Sequence, residues 1–174
     1  DYLTIKFNRK RTIPITVLLR AMAAIDDGIP DEVAPIKTGS TEEILALYAD
    51  VDNHPDRSYI QNSMKMEPVW DEKKPIAEQA LIEFYRKMRP GDPPTLDNAR
   101  EYLQSQLFDK RRYDLERVGR YKLNIRLGLD GIIPRTHRTI TRHDVVRLIE
   151  RMININNDKI NKDDIDHLGN RRVK

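Results

Sequence analysis

The chain has no cysteine, which excludes disulfides and thiolate metal sites and makes the cytoplasm the expected compartment. It has no apolar run long enough to cross a bilayer, and no secretory leader pattern opens it. Internal repeats and low-complexity tracts are absent as well. Apolar residues are scarce, at 39% against a charged fraction of 34%. In 174 residues this leaves material for one modest core, with much of the surface facing water or partners.

Charge is what the chain has in quantity, and it is unevenly spread. Residues 26–56 hold nine acids, from Asp26 to Asp56, against Lys37 alone, a net of −8. The whole chain stands at +3, so the remainder carries +11. A basic surface beside an acidic one favours a polyanionic partner on the basic side. Asp1 opens on the strand-like DYLTIKF, and Arg171, Arg172 and Lys174 close without terminal punctuation, so a piece of a longer protein is expected.

Local signals place the elements. Tyr2, Leu3, Ile5 and Phe7 alternate as a short strand that runs into Asn8-Arg9-Lys10-Arg11. Thr12 offers an N-cap with Pro14 in the first turn, which predicts a helix through Met22 to near Asp27-Gly28. Ser40 or Thr41 caps a short helix over 42–49, and another is expected over 56–66. The clearest helix covers 75–88 and is stopped by Arg89-Pro90-Gly91. Thr95 caps the next, over 98–107. Thr141 caps a last long helix over 142–153, with Asp144 completing a capping box in place of the usual Glu. A polar turn over 154–162 and a short helical turn from Asp163 or Asp164 to Gly169 follow. The fold class is α+β: a helix-rich single domain with a few short antiparallel strands.

Three chemical readings compete. His137, His143-Asp144 and Asp166 follow the order of a metal-dependent phosphohydrolase, in which imidazole and carboxylate hold a cation that activates water. Only five residues separate the two histidines and Asp144 has a use at a helix start, so that reading is set aside. DDIDHLGNRR (163–172) alone reads as a helix start and stop. The basic stretch 109–126 carries seven Lys or Arg and three acids, interleaved with Tyr113 and Tyr121. It can be a solvated helix face in which Arg117, Arg120 and Lys122 pair with Asp114 and Glu116. Yet arginine recurs in excess at 9–11, 109–126, 135–151 and 171–172, and its planar fork suits phosphate. Nucleic-acid contact is therefore expected.

Four blocks carry a resemblance: FNRKRTIPITVLLRAM (7–22), IEFYRKMRPGDPPT (82–95), RYDLERVGRYKLN (112–124) and DDIDHLGNRRV (163–173). In this order they resemble the β subunit of bacterial DNA-directed RNA polymerase, in its lobe (β2) domain. The resemblance implies a lobe over 1–162, with 163–174 starting the next segment. It implies a catalytically silent part of a nucleotidyltransferase that helps open promoter DNA and holds the non-template strand, with magnesium held by the β′ subunit and none here. Implied partners are promoter and downstream DNA, β′, the rest of β and sigma factor, with no membrane, in a nucleoid-associated cytoplasmic setting. By the same resemblance Asp166 accepts from the Watson–Crick edge of a non-template guanine, with Arg171 nearby, while Arg89, Arg112, Arg9 and Arg120 lie on the basic DNA path. The family's base-stacking tryptophan has no counterpart in this chain, and Trp70 is expected to pack. The acidic region matches none of the family's motifs. The alternative is a protein-interaction module that uses the acidic 26–56 segment and touches DNA incidentally.

Overall fold

A computed structural model describes residues 1–8 and 11–157. Two strands open the chain, β1 (Thr4–Asn8) and β2 (Arg11–Pro14). They pair antiparallel with Ile5 opposite Ile13 and Lys6 opposite Thr12, and the register slips between Lys6 and Asn8. Thr12 is thus a ladder residue and not a helix cap. Pro14 ends the strand, where its missing N–H costs the ladder least, and takes the N-cap position of α1 (Ile15–Met22).

Every residue of α1 is buried, including Thr16 and Arg20. The helix stops at Met22, short of the predicted end, because the backbone tightens through Ala23 and Ala24. Asp26 and Asp27 then turn their carboxylates onto the N–H groups of Gly28 and Ile29. Such local bonds offer the backbone an alternative to helix.

Around α1 stand α2 (Thr41–Leu47), α3 (Tyr59–Lys65) and α4 (Ile76–Met88), with α5 (Leu96–Leu107) behind α4. Ser40 caps α2 and Thr95 caps α5, each accepting from the backbone three residues on. The main core runs through α1, α4, α5 and the inner face of α7 (Arg142–Asn156), with Leu18, Phe84, Leu103 and Ile149 fully enclosed. Trp70 packs against this core, as expected, and its indole N–H donates to Glu67 at 3.3 Å. The capping box at the start of α7 is formed: Thr141 Oγ1 accepts from Asp144 N–H and Asp144 Oδ2 accepts from Thr141 N–H.

The basic stretch folds as α6 (Glu116–Leu127), ended by Gly128 in the left-handed conformation at φ 69°. Its buried positions are Arg120, Asn124 and Leu127, so the inner face is largely polar. A smaller apolar cluster of Ile29, Leu127, Leu129 and Ile133 lies beside it, touched by Leu123 and Leu148. Seven α-helices and one two-stranded antiparallel sheet among the described residues make a helix-rich α+β fold.

Candidate nucleic-acid interface

The hairpin organises the basic side. Phe7 on β1 meets Phe84 of α4 edge-on at 4.8 Å, and Phe84 and Tyr85 both lie against Tyr102 of α5. On β2, Arg11 reaches the open end of α4, where its Nη1 donates to the carbonyls of Lys87 and Met88 at 2.9 and 3.0 Å. These are terminal carbonyls with no helical partner, and a guanidinium suits the negative end of the dipole. The next residue is Arg89. It leaves the helix with φ −131° and ψ 64°, pairs with Asp92 at 3.0 Å and lies over the Tyr102 ring at 5.9 Å. Both members of the Arg89–Asp92 pair are solvent-exposed, so the pair is weak and does not commit Arg89. Gly91 turns the chain at φ 96°, a region that L side chains rarely adopt.

On the other side of the hairpin lies the loop 109–115. Asp109 folds it by accepting from Arg111 N–H and from the Arg111 guanidinium, and this bond holds the Asp109 carboxyl below its ordinary range. Asp114 is held down likewise by Arg138, whose guanidinium it takes in a two-point pair. Among the described residues Arg112 takes no carboxylate in such a pair, and it is exposed. It shares a cavity wall with Lys6 and Phe7 of β1. Lys6, Arg11, Arg89 and Arg112, which sit in four separate stretches of sequence, thus come together around one hairpin.

Arg120 departs from its expected place on the DNA path. It is 0% exposed, and its guanidinium makes a two-point pair with Asp144 at 2.8 Å to each oxygen. It also donates to the carbonyls of His137 and Thr139 and to the side chain of Asn124. All its donors are turned inward, because the start of α7 needs a cation beside the buried Asp144. The pairing expected with Asp114 and Glu116 is likewise replaced: Asp114 serves Arg138.

The acidic segment is partly consumed inside the fold. Asp27, against the cost of burial, is held below its ordinary range by hydrogen bonds from Arg142 and Ile29. Asp31 meets the same Arg142 at 3.1 Å. The Glu43 carboxylate accepts from the N–H groups of Lys37, Thr38 and Gly39. Asp52 caps α3 by accepting from Tyr59 and Ile60 N–H. His143 meets the Val33 carbonyl at 2.9 Å, and His137 meets Thr139 Oγ1 at 2.9 Å. Among the described residues no group of three His, Asp or Glu could hold a metal ion, and no helix is long and apolar enough to cross a membrane.

Arg9, Asp163, Asp164, Asp166, His167 and Arg171 lie outside the described residues. Lys6 and Arg11 were missed as site residues by sequence reasoning. Their position is set by packing between the hairpin and the ends of α4 and α5, which no local pattern records.

The family model described as RNA polymerase Rpb2, domain 2, matches residues 1–174. A DNA-directed RNA polymerase subunit beta of Chloroflexus aggregans is 43% identical over 190 residues, covering 100% of this chain and 15% of that protein. The corresponding subunit of Dehalococcoides mccartyi is 41% identical over 174 residues, covering 100% of this chain and 12% of its own length. That of Trichodesmium erythraeum is 38% identical, with 13% of its length covered. The chain therefore spans a small part of the curated relatives that it matches. A family model that covers every residue, and relatives above a third identical along the whole chain, place it: this chain belongs to the RNA polymerase Rpb2 domain 2 family and corresponds to one region of a bacterial DNA-directed RNA polymerase β subunit.

Proposed function

We propose that this chain is the lobe of the polymerase β subunit, lining the downstream DNA path and gripping the non-template strand of the opened promoter through the face that carries the hairpin. The observation that carries this reading is the convergence of Lys6, Arg11, Arg89 and Arg112 around β1 and β2. Arginine forks at the ends of helices and in short loops fit phosphate oxygens, and contacts of that kind fix register and position on nucleic acid. Arg9, in the NRKR run, is assigned to the same DNA path. Asp166 accepts from the N1–H and N2 amino edge of a non-template guanine, with Arg171 beside it, a contact open only once the strands have parted. In this reading 1–162 form the lobe and 163–174 begin the next segment. The parent enzyme is a nucleotidyltransferase whose magnesium belongs to β′. Its lobe works beside β′, the rest of β and sigma factor in the nucleoid-associated cytoplasm, and orients DNA without touching the reacting atoms.

The test uses assembled polymerase. Arg89→Ala and Arg112→Ala should each shorten open-complex lifetime. Each should also lower the salt dependence of DNA binding by about 0.7 log units per log salt, the loss of one single-strand phosphate contact. Lifetimes and slopes equal to wild type for both variants would remove the proposed path. Asp166→Ala should reduce the preference for guanine at one bubble position, and an unchanged preference would remove that assignment. The acidic protein-docking alternative is less favoured, because Asp27, Asp31, Glu43 and Asp52 already serve the fold.

A further inference from the structure

A cavity of about 310 Å³ opens between the hairpin, the end of α5, the 109–115 loop and the faces of α6 and α7. It lies at the seam of the two apolar clusters. Phe7, Leu107 and Ile140 come from the edge of the main core, and Leu123 and Leu148 from the edge of the smaller one. None of these five is fully buried. The two clusters do not close on each other here, and the buried face of α6 between them carries Arg120 and Asn124 as well as Leu127. The volume is at the lower end of the range for small-molecule sites, which combine an apolar lining with a few placed polar groups.

The charges on this cavity are not symmetrical. Its carboxylates are already answered, Asp144 by Arg120 and Asp114 by Arg138. Its cations are not paired in this way: among the described residues neither Lys6 nor Arg112 has a side-chain hydrogen bond or salt bridge, and Arg112 acts on Asp109 only through space. Nearby, Arg111, Arg135 and Arg138 each have a carboxylate of their own. An apolar chamber with two positive charges in its wall that no described carboxylate takes in a salt bridge matches a molecule of the opposite build.

We infer that this cavity binds a small anionic amphiphile, its apolar chain lying between Phe7, Leu123 and Leu148 and its carboxylate or comparable anionic head meeting Arg112 and Lys6. The inference goes beyond the DNA-path reading and stands on the cavity itself. It shares one residue with that reading, since an occupant engages the Arg112 guanidinium that would otherwise face a phosphate.

The experiment uses the assembled polymerase without DNA, so that failure of the DNA path does not affect the readout. Dodecanoate tagged with a diazirine at its far end is photolysed in the presence of the enzyme, and labelled peptides are mapped by mass spectrometry. Saturable labelling is expected on the peptides that carry Leu107, Leu123 and Leu148. Arg112→Ala should weaken it about tenfold, the loss of one charge-assisted contact, and tagged dodecanol should label about tenfold less than the acid. Leu123→Trp fills the chamber from a half-buried position and should abolish labelling. If that variant fails to assemble, competition by untagged dodecanoate but not by dodecanol takes its place. The absence of saturable labelling at these peptides overturns the proposal, and that outcome includes a cavity already filled by another part of the enzyme. Equal labelling by acid and alcohol overturns it as well, as does labelling that survives Arg112→Ala with Lys6→Ala.

Discussion

Replacing Arg120 with alanine separates two accounts of the basic stretch. The guanidinium is fully enclosed and bonds both oxygens of Asp144, two carbonyls and Asn124. Its removal leaves a carboxylate that is 2% exposed without its cation, and breaking a buried pair in this way costs about 3–5 kcal/mol. For a chain of this size about 2–4 °C of melting temperature corresponds to each kcal/mol, so the expected loss is about 6–20 °C. The double variant Arg120→Met with Asp144→Asn should recover part of it. The asparagine Oδ1 still accepts from the Thr141 N–H, which keeps the capping box, and no charge is left unanswered. Thermal unfolding followed by circular dichroism reads all three proteins. A single variant that melts within about 2 °C of wild type, well short of the shift expected for a broken buried pair, yet weakens DNA binding, would refute the structural role and return Arg120 to the interface.

Other expectations are more local. His137 and His143 are both pushed below their ordinary value of 6.5, first by burial, so the unfolded chain takes up protons that the folded chain refuses. Their contribution is complete above about pH 6.5 and declines as pH falls toward the folded values. The urea midpoint should fall from about pH 7 to about pH 5, less so in a His137→Gln variant; a midpoint that rises on acidification would contradict the burial. Gly39→Ala should destabilise by more than about 2 kcal/mol, since a Cβ at φ +73° would stand 2.7 Å from the Arg20 carbonyl oxygen. Gly91→Ala, at φ +96° with open space around it, should lose about 1 kcal/mol; melting curves that rank the two in reverse would count against the close approach. Asp52→Ala removes the acceptor for Tyr59 and Ile60 N–H and should cost about 1 kcal/mol in the same assay, whereas Asp56→Ala, with no capping bond, should not.

Elements whose cause is local were readable from the residues. The Thr141–Asp144 box, the caps at Ser40 and Thr95 and the stop at Pro90-Gly91 each depend on neighbours within four positions. The start of α1 was not, because Thr12 looks like a cap until β1 arrives to pair with it. α6 escaped as a core element for a different reason: its inward positions are Arg120 and Asn124, which read as solvent-facing unless Asp144 and the Ile133 carbonyl are known to lie opposite. The bond from Arg142 to Asp27 spans 115 positions and leaves no trace in either stretch. Of the candidate site, Arg89 and Arg112 were named through the resemblance of the 82–95 and 112–124 blocks and not through any local pattern. The ring of cations around the hairpin was not legible, because packing against α4 and α5 creates it.

The bond from Arg11 to the last carbonyls of α4 has a mechanical side. It ties the tip of a two-stranded ribbon to the end of a thirteen-residue helix whose other face is sunk in the core. A load applied at either place is carried along the helix axis into the body of the fold. The ribbon and the Arg89 turn therefore yield together, as one strut and not as two independent fingers, and a partner pulling on one feels the stiffness of both.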